Sequence, residues 1–258
     1  MNNVIETVGF VGFGAMGQFM AEKMFPGSDI VAHDPGIHER QINNTALTTL
    51  AEVATRDTIV LAVPAMAHTL AVAALKEHLP EGGSQLIVDV SSVKEKPDTV
   101  LGLARLSDEL LSCHPLFGRE TAGKSLRGHR VIVTKTTGDK PVRLLDTWKE
   151  LGLNIMPLSA HEHDQHMAAV QAVPLVLGRL VGVLNLADPK SLQTPARLKA
   201  WQLAEAADTH SEALLDTIVG NSHALPLVER MLAELEVIRD KHLALATGTQ
   251  YLSRQPRA

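Results

Sequence analysis

Short β-branched runs alternate with helix-period segments through the first part of the chain. Thr7 to Phe13 reads as a strand, Met16 to Phe25 as a helix and Ile30 to His33 as a second strand. Thr58 to Val63 is a further apolar strand, Ala65 to His78 a helix, and Gln85 to Val90 a strand ended by Ser91 and Ser92. Arg130 to Lys135 and Asn154 to Leu158 have the same character, with Pro141 to Leu151 as the helix between them. Apolar residues fill these strands without alternation, so the pattern predicts a parallel sheet covered by helices on both faces, a doubly wound α/β fold. After about Ser159 the strand pattern stops. The rest of the chain has helical periodicity: His161 to Leu186, Pro195 to Val219 and Ala224 to Ala246. The expected division is therefore a domain over 1–159 and an all-helical one over 160–258. The middle of His161 to Leu186 is apolar nearly all round (Met167, Ala168, Val170, Val173, Val176, Leu177), which requires burial on most sides. So short a tail has little of its own to bury that helix in. It is expected to pack on the first domain and on a second copy, making a homodimer through the C-terminal helices. Pro174 should kink the helix.

Composition narrows the function. Of 258 residues 45% are hydrophobic, enough for a real core, and 24 basic against 29 acidic residues give a net charge of −5. No basic footprint is present to neutralise phosphates along a duplex, so a small molecule, and no nucleic acid, is the expected ligand. The one cysteine cannot form an internal disulfide, and Met1 to Thr7 lacks a basic segment followed by an apolar one. The longest apolar stretches are interrupted by Pro64 and His68, or by Gln171, Pro174 and Arg179, which argues against membrane insertion. A cytoplasmic location is expected.

Gly12-Phe13-Gly14-Ala15-Met16-Gly17 closes a predicted strand and opens a predicted helix. In that context the first Gly permits a tight turn, Gly14 lets backbone approach a pyrophosphate, and Gly17 lets helix pack on strand. The helix N-terminus then presents free N–H groups to the diphosphate. Asp34 ends the next strand, near the ~20-residue offset at which an acid accepts hydrogen bonds from a ribose 2′-OH and repels a 2′-phosphate. NAD is accordingly favoured over NADP, although the nearby His33, His38 and Arg40 leave that choice open. Val63 and Pro64, at the carboxyl end of their strand, are expected to line the same crevice, and Ser91 is grouped with them.

A nicotinamide enzyme also needs a group to manage a proton as hydride leaves. Three stretches offer one: Ser91 and Ser92 with Lys94, His114, and His161-Glu-His-Asp-Gln-His166. His114, held extended by Pro115 in a loop after a strand, is a reasonable proton acceptor near neutral pH. Activity should then fall as the pH drops through its pKa, within pH 5 to 8. Cys113 faces the other way and reads as core. His161 and His163 cannot share a helical face, whereas His163 and His166 can; two ligands are too few, so no metal site is expected. Glu162 and Asp164 read as acids favouring the positive end of their own helix.

In their order, these motifs resemble the prephenate and arogenate dehydrogenase family. The resemblance rests on the Gly loop, Asp89-Val-Ser-Ser-Val-Lys94, His114-Pro-Leu-Phe-Gly118, His163-Asp-Gln-His-Met-Ala-Ala-Val-Gln171 and Arg197-Leu-Lys199. It implies a Rossmann NAD-binding domain, a helical dimerisation domain, and oxidative decarboxylation of prephenate or arogenate. It further implies that His114 takes the ring-hydroxyl proton, that Ser92 helps to hold that hydroxyl, that Arg197 grips a substrate carboxylate, and that Gln171 lies near the substrate. Two positions depart from the family pattern. Leu175 stands where a histidine is usual, and Arg119 replaces a proline, a cation that could compensate. The loop also resembles the start of β-hydroxyacid dehydrogenases, which gives one alternative; a non-catalytic NAD-binding dimer is the other.

Overall fold

The computed structural model describes residues 6–80, 82–184, 194–209 and 212–247. Among them, nine strands form one sheet in the order β3-β4-β2-β1-β5-β6-β7-β8-β9. The strands are β1 (Thr7–Val11), β2 (Asp29–His33), β3 (Gln41–Ile42), β4 (Thr45–Leu47), β5 (Thr58–Leu61), β6 (Leu86–Asp89), β7 (Leu110–Pro115), β8 (Arg130–Thr137) and β9 (Asn154–Pro157). The sheet is mixed and not wholly parallel: β3 runs antiparallel to β4, and β8 to β7. The apolar run of β8, Val131 to Val133, is buried like those of the parallel strands β5 and β6, so composition alone carried no sign of its direction.

Burial on both faces has a direct cause in the side-chain alternation of the central strands. All four residues of β5 are buried. Val60 and Val88 point into a cluster with Phe10, Phe19, Met20 and Trp148, whereas Ile59, Leu61 and Ile87 join Val11, Val53, Val72 and Leu75 on the opposite side. The helices that supply these partners are α1 (Ala15–Lys23), α2 (Leu50–Val53), α3 (Ala65–Lys76), α4 (Glu95–Ala104), α5 (Arg119–Ala122) and α6 (Lys140–Glu150). Trp148 is wholly buried, and its indole N–H donates to the Met24 carbonyl at 3.1 Å.

The chain separates into two compact units, Met1–Asp164 and Gln165–Ala258. The division falls after Asp164, later than the 159/160 boundary expected from pattern. The reason is chemical: His163 and Asp164, in the first turns of α7 (Ala160–Met167), are hydrogen-bonded to residues of the first unit.

The second unit holds a π-helical turn (Ala168–Ala172), α8 (Val173–Val183), α9 (Pro195–Asp208), α10 (Glu212–Val219) and α11 (Leu225–Thr247). That π-turn lies directly before Pro174, where a kink was expected. The Val173 N–H donates to the Ala168 carbonyl, five residues back, immediately before a proline that has no N–H to give. A Cβ at Gly178 would collide with the Leu203 carbonyl oxygen, so only glycine lets α8 and α9 cross this closely. The run expected over Pro195 to Val219 is two helices, and the joint at 210–211, like the expected end at Leu186, lies outside the described residues. The helical run Ala160–Val183 is, by length and composition, apolar enough to cross a bilayer, despite the interruptions that argued otherwise. It is also less enclosed than its composition demands, since Val170, Leu177, Leu180, Val183 and Leu184 are exposed.

Candidate active site

The cofactor crevice forms where the strand order reverses, between β1 and β5. Gly12 turns the chain with φ +86°, and a Cβ there would lie 2.6 Å from the Ala62 carbonyl oxygen. Gly17 is constrained in the same way, against the Gly12 carbonyl at 2.8 Å. Gly14 is different: nothing in the protein lies within 4 Å of where its Cβ would be. The glycine thus faces open space, at the N-terminus of a nine-residue helix that no side chain caps. Phe13, Gly14, Ala15 and Met16 consequently fit a dinucleotide diphosphate by both shape and polarity. Asp34, the acid expected to read the ribose, is oriented by two backbone donors, Phe13 N–H at 2.8 Å and Gly36 N–H at 2.9 Å, and so is a strut for the loop. Val63 and Pro64 follow β5, and Pro64 is the N-cap of α3.

The loop after β6 is organised by a buried ion pair. Lys94 and Asp89 are both wholly buried, with Nζ 2.5 Å from Oδ2. Asp89 also accepts from the Ser91 hydroxyl at 2.6 Å and from His68 Nε2 at 3.1 Å. Burial pushes the Asp89 carboxyl up, but the Lys94 charge and the His68 and Lys94 hydrogen bonds outweigh it and hold it below the usual carboxylate range. Lys94 Nζ reaches Ser112 Oγ at 3.1 Å, and Ser112 in turn hydrogen-bonds Asp98 on α4. The Ser91 hydroxyl is therefore directed at Asp89, and half-buried Ser92 is the next residue of the same loop.

His114 lies within β7, not in a loop beyond a strand; Pro115 is the last residue of that strand. The imidazole is buried, with Nδ1 2.9 Å from His163 Nε2. Burial, then the neighbouring His163 and the Lys94 charge, hold its pKa well below the ordinary histidine value, while Asp89 acts in the opposite sense. Cys113 is wholly buried, as core, and burial raises its thiol pKa to about 12.

His163 and Asp164 were not identified as site residues from sequence. His163 Nδ1 lies 2.7 Å from Asp164 Oδ1. The Asp164 carboxylate also accepts from the backbone N–H groups of Lys94 at 2.8 Å and Glu95 at 3.0 Å. Asp164 thus serves the N-terminus of α4 and not that of its own helix. A signal for this was present. Ser159 and Glu162 form a reciprocal capping box, Glu162 Oε2 accepting from Ser159 N–H at 2.9 Å and Ser159 Oγ accepting from Glu162 N–H at 3.1 Å. With that helix already capped, Asp164 had no local task.

The other expected substrate contacts are spread over both units. Arg119, at the start of α5, pairs with Glu22 at 2.9 Å and lies over the Phe19 ring at 6.0 Å. In the second unit Arg197 stacks on Trp201 at 5.7 Å and lines a cavity of about 350 Å³ with Val181, Gly182, Glu205 and Asp208. Gln171 sits in the π-turn with Oε1 buried and without a hydrogen-bond partner among the described residues. Leu175, the departure from the family pattern, is buried with Ala168, Ala172, Leu215 and Ile218, so an apolar core explains it.

Residues 27–156, half of the chain, match the family described as prephenate dehydrogenase, nucleotide-binding domain. The chain belongs to the prephenate dehydrogenase family. It is 27% identical over 259 residues to chloroplastic arogenate dehydrogenase 1 of Arabidopsis thaliana, covering 90% of this chain and 39% of that protein. This family member therefore spans about two fifths of the plant relative's length. A cyclohexadienyl dehydrogenase of Zymomonas mobilis is 27% identical over 197 residues, covering 71% of this chain and 67% of that protein. In fold, the chain is similar to prephenate dehydrogenase of A. aeolicus, solved with hydroxyphenyl propionate and NAD+, with a TM-score of 0.68, 21% identity and coverage of 94% and 92%.

This geometry has two measurable outcomes. Gly14→Val should leave thermal stability nearly unchanged, because its Cβ meets no protein atom, yet weaken dinucleotide binding at least about tenfold in a titration. Unchanged binding would contradict the assignment of the loop. Second, His114 is held neutral in the fold but takes up a proton once unfolded, at about pH 6.5. Its contribution to stability is therefore complete above that pH and declines on acidification, by up to about 1.4 kcal/mol per pH unit. Denaturation of His114→Asn between pH 7.5 and 5.5 should show a shallower acid decline than wild type; parallel curves would count against it.

Proposed function

We propose that the protein catalyses NAD-dependent oxidative decarboxylation of a cyclohexadienyl acid, prephenate or arogenate, in tyrosine biosynthesis. The observation that carries this reading is His114: a buried imidazole, on β7 beside the loop after β6, engaged at Nδ1 and held neutral, in a chain of this family. When bound, NAD supplies the hydride acceptor. His114 takes the substrate hydroxyl proton at its other nitrogen, Nε2, and loss of the ring carboxylate as CO2 leaves an aromatic product. Ser92 orients the hydroxyl, Arg197 grips a carboxylate through its forked donors, and Gln171 offers its carbonyl oxygen to a substrate N–H or O–H. Arg119, tied to Glu22 and Phe19, contributes positive charge at the mouth of the site. Asp34 supports NAD over NADP, since a 2′-phosphate would meet its carboxylate.

The working form is a homodimer. The exposed apolar residues Leu177, Leu180 and Val183 on α8, with Leu232, Leu235 and Ile238 on α11, support assembly through the C-terminal helices. The protein is assigned to the cytoplasm, acting on small molecules and not on nucleic acid or membrane.

Purified protein mixed with NAD and either acid should generate reduced nicotinamide absorbance with at least one of them; turnover of neither would overturn the reading. His114→Asn should retain NAD binding while turnover falls ~10²- to 10⁴-fold. The structure also revises the expected pH dependence. Because His114 is held below the ordinary histidine range, kcat/KM should stay level from pH 8 to 6.5 and fall only in more acidic solution. An acid limb centred above pH 6.5 would contradict this placement.

A further inference from the structure

We propose that His163 and Asp164 are positioning residues that fix the tautomer of His114, so that its Nε2 presents a lone pair to the substrate hydroxyl. The inference rests on the reading of His114 as the proton acceptor. Two consecutive contacts carry it. An ionised carboxylate only accepts hydrogen bonds, so His163 Nδ1, 2.7 Å from Asp164 Oδ1, carries its proton. A neutral imidazole protonated at Nδ1 has its lone pair on Nε2. That atom lies 2.9 Å from His114 Nδ1, which must then be the donor. His114 Nε2 is left without a proton.

Asp164 is kept ionised by its surroundings. Burial raises its pKa, but the hydrogen bond from His163 and the Glu95 and Lys94 backbone N–H groups lower it below the usual carboxylate value. The opposite arrangement, with both His163 nitrogens protonated, would put an imidazolium beside buried His114 within the field of the Lys94 ammonium. The charged and titratable groups that act on His114 are His163 from α7, Lys94 from the N-terminus of α4 and Asp89 from β6. When a proton reaches His114 Nε2, the new positive charge is hydrogen-bonded through Nδ1 to His163 and faces the Asp164 carboxylate behind it. The same carboxylate holds the first backbone groups of α4, so the orientation of the base is tied to the start of that helix.

The direct test needs no substrate. Long-range 1H–15N correlation on the full-length protein with 15N-labelled histidine at pH 8, assigned with His114→Asn and His163→Gln, should show both rings protonated at Nδ1. A His114 ring protonated at Nε2 would overturn the proposal. In turnover, His163→Leu removes the acceptor and should lower kcat by roughly 10- to 100-fold, with NAD affinity unchanged. His163→Gln, whose carbonyl oxygen can accept from His114 Nδ1–H, should recover activity to within about tenfold of wild type. Equal loss in both variants, or none in either, would overturn the positioning role. Nδ1-protonated rings in a protein that turns over neither acid would support the relay and refute the proposed activity, so the two readings fail separately.

Discussion

The ion pair between Lys94 and Asp89 is the constraint on which the candidate active site depends. Two opposite charges without solvent contact are tolerated only when each is met by further hydrogen bonds, and here Ser91, His68 and Ser112 provide them. The pair closes the loop between β6 and α4 over a span of five residues. It thereby fixes the backbone N–H of Lys94, which meets Asp164, which meets His163, which meets His114. Removing one partner of a buried pair typically costs about 3–5 kcal/mol because a charge is left uncompensated. In this protein it would also unsettle the contacts that hold His114.

The cofactor crevice and the candidate chemistry differ in how far each was legible in the sequence. The glycine loop is local: turn, close approach and open face are consequences of six consecutive residues, and all three are found where the spacing put them. His114 was legible because a histidine before a proline is conspicuous, but its setting was not. Strand β7 contains Ser112, Cys113, His114 and Pro115, and polar residues buried for their hydrogen bonds do not look like a strand interior.

The relay escaped for a different reason. His163 meets a residue 49 positions away and Asp164 one 70 positions away, and helical periodicity reports only neighbours within one helix. Judged by that periodicity, His163 was weighed with His166 as a metal pair, although His163 is buried and His166 exposed. The mixed sheet has the same origin. Strand direction is a property of the connection between strands, and the apolar core of β8, Val131 to Val133, is compatible with either direction. The departure at Leu175 became intelligible only with its neighbours in view.

The double attachment of Asp34 bears on any attempt to redesign nucleotide preference. One oxygen of its carboxylate is occupied by the main chain of Phe13 and the other by that of Gly36. Replacing it with a neutral or cationic residue, to admit a phosphorylated ribose, would at the same time cut the tether that shapes the diphosphate turn. The coenzyme discrimination proposed for Asp34 and the rigidity of the loop are thus inherited together, and a successful swap would have to supply a new acceptor for those two amides.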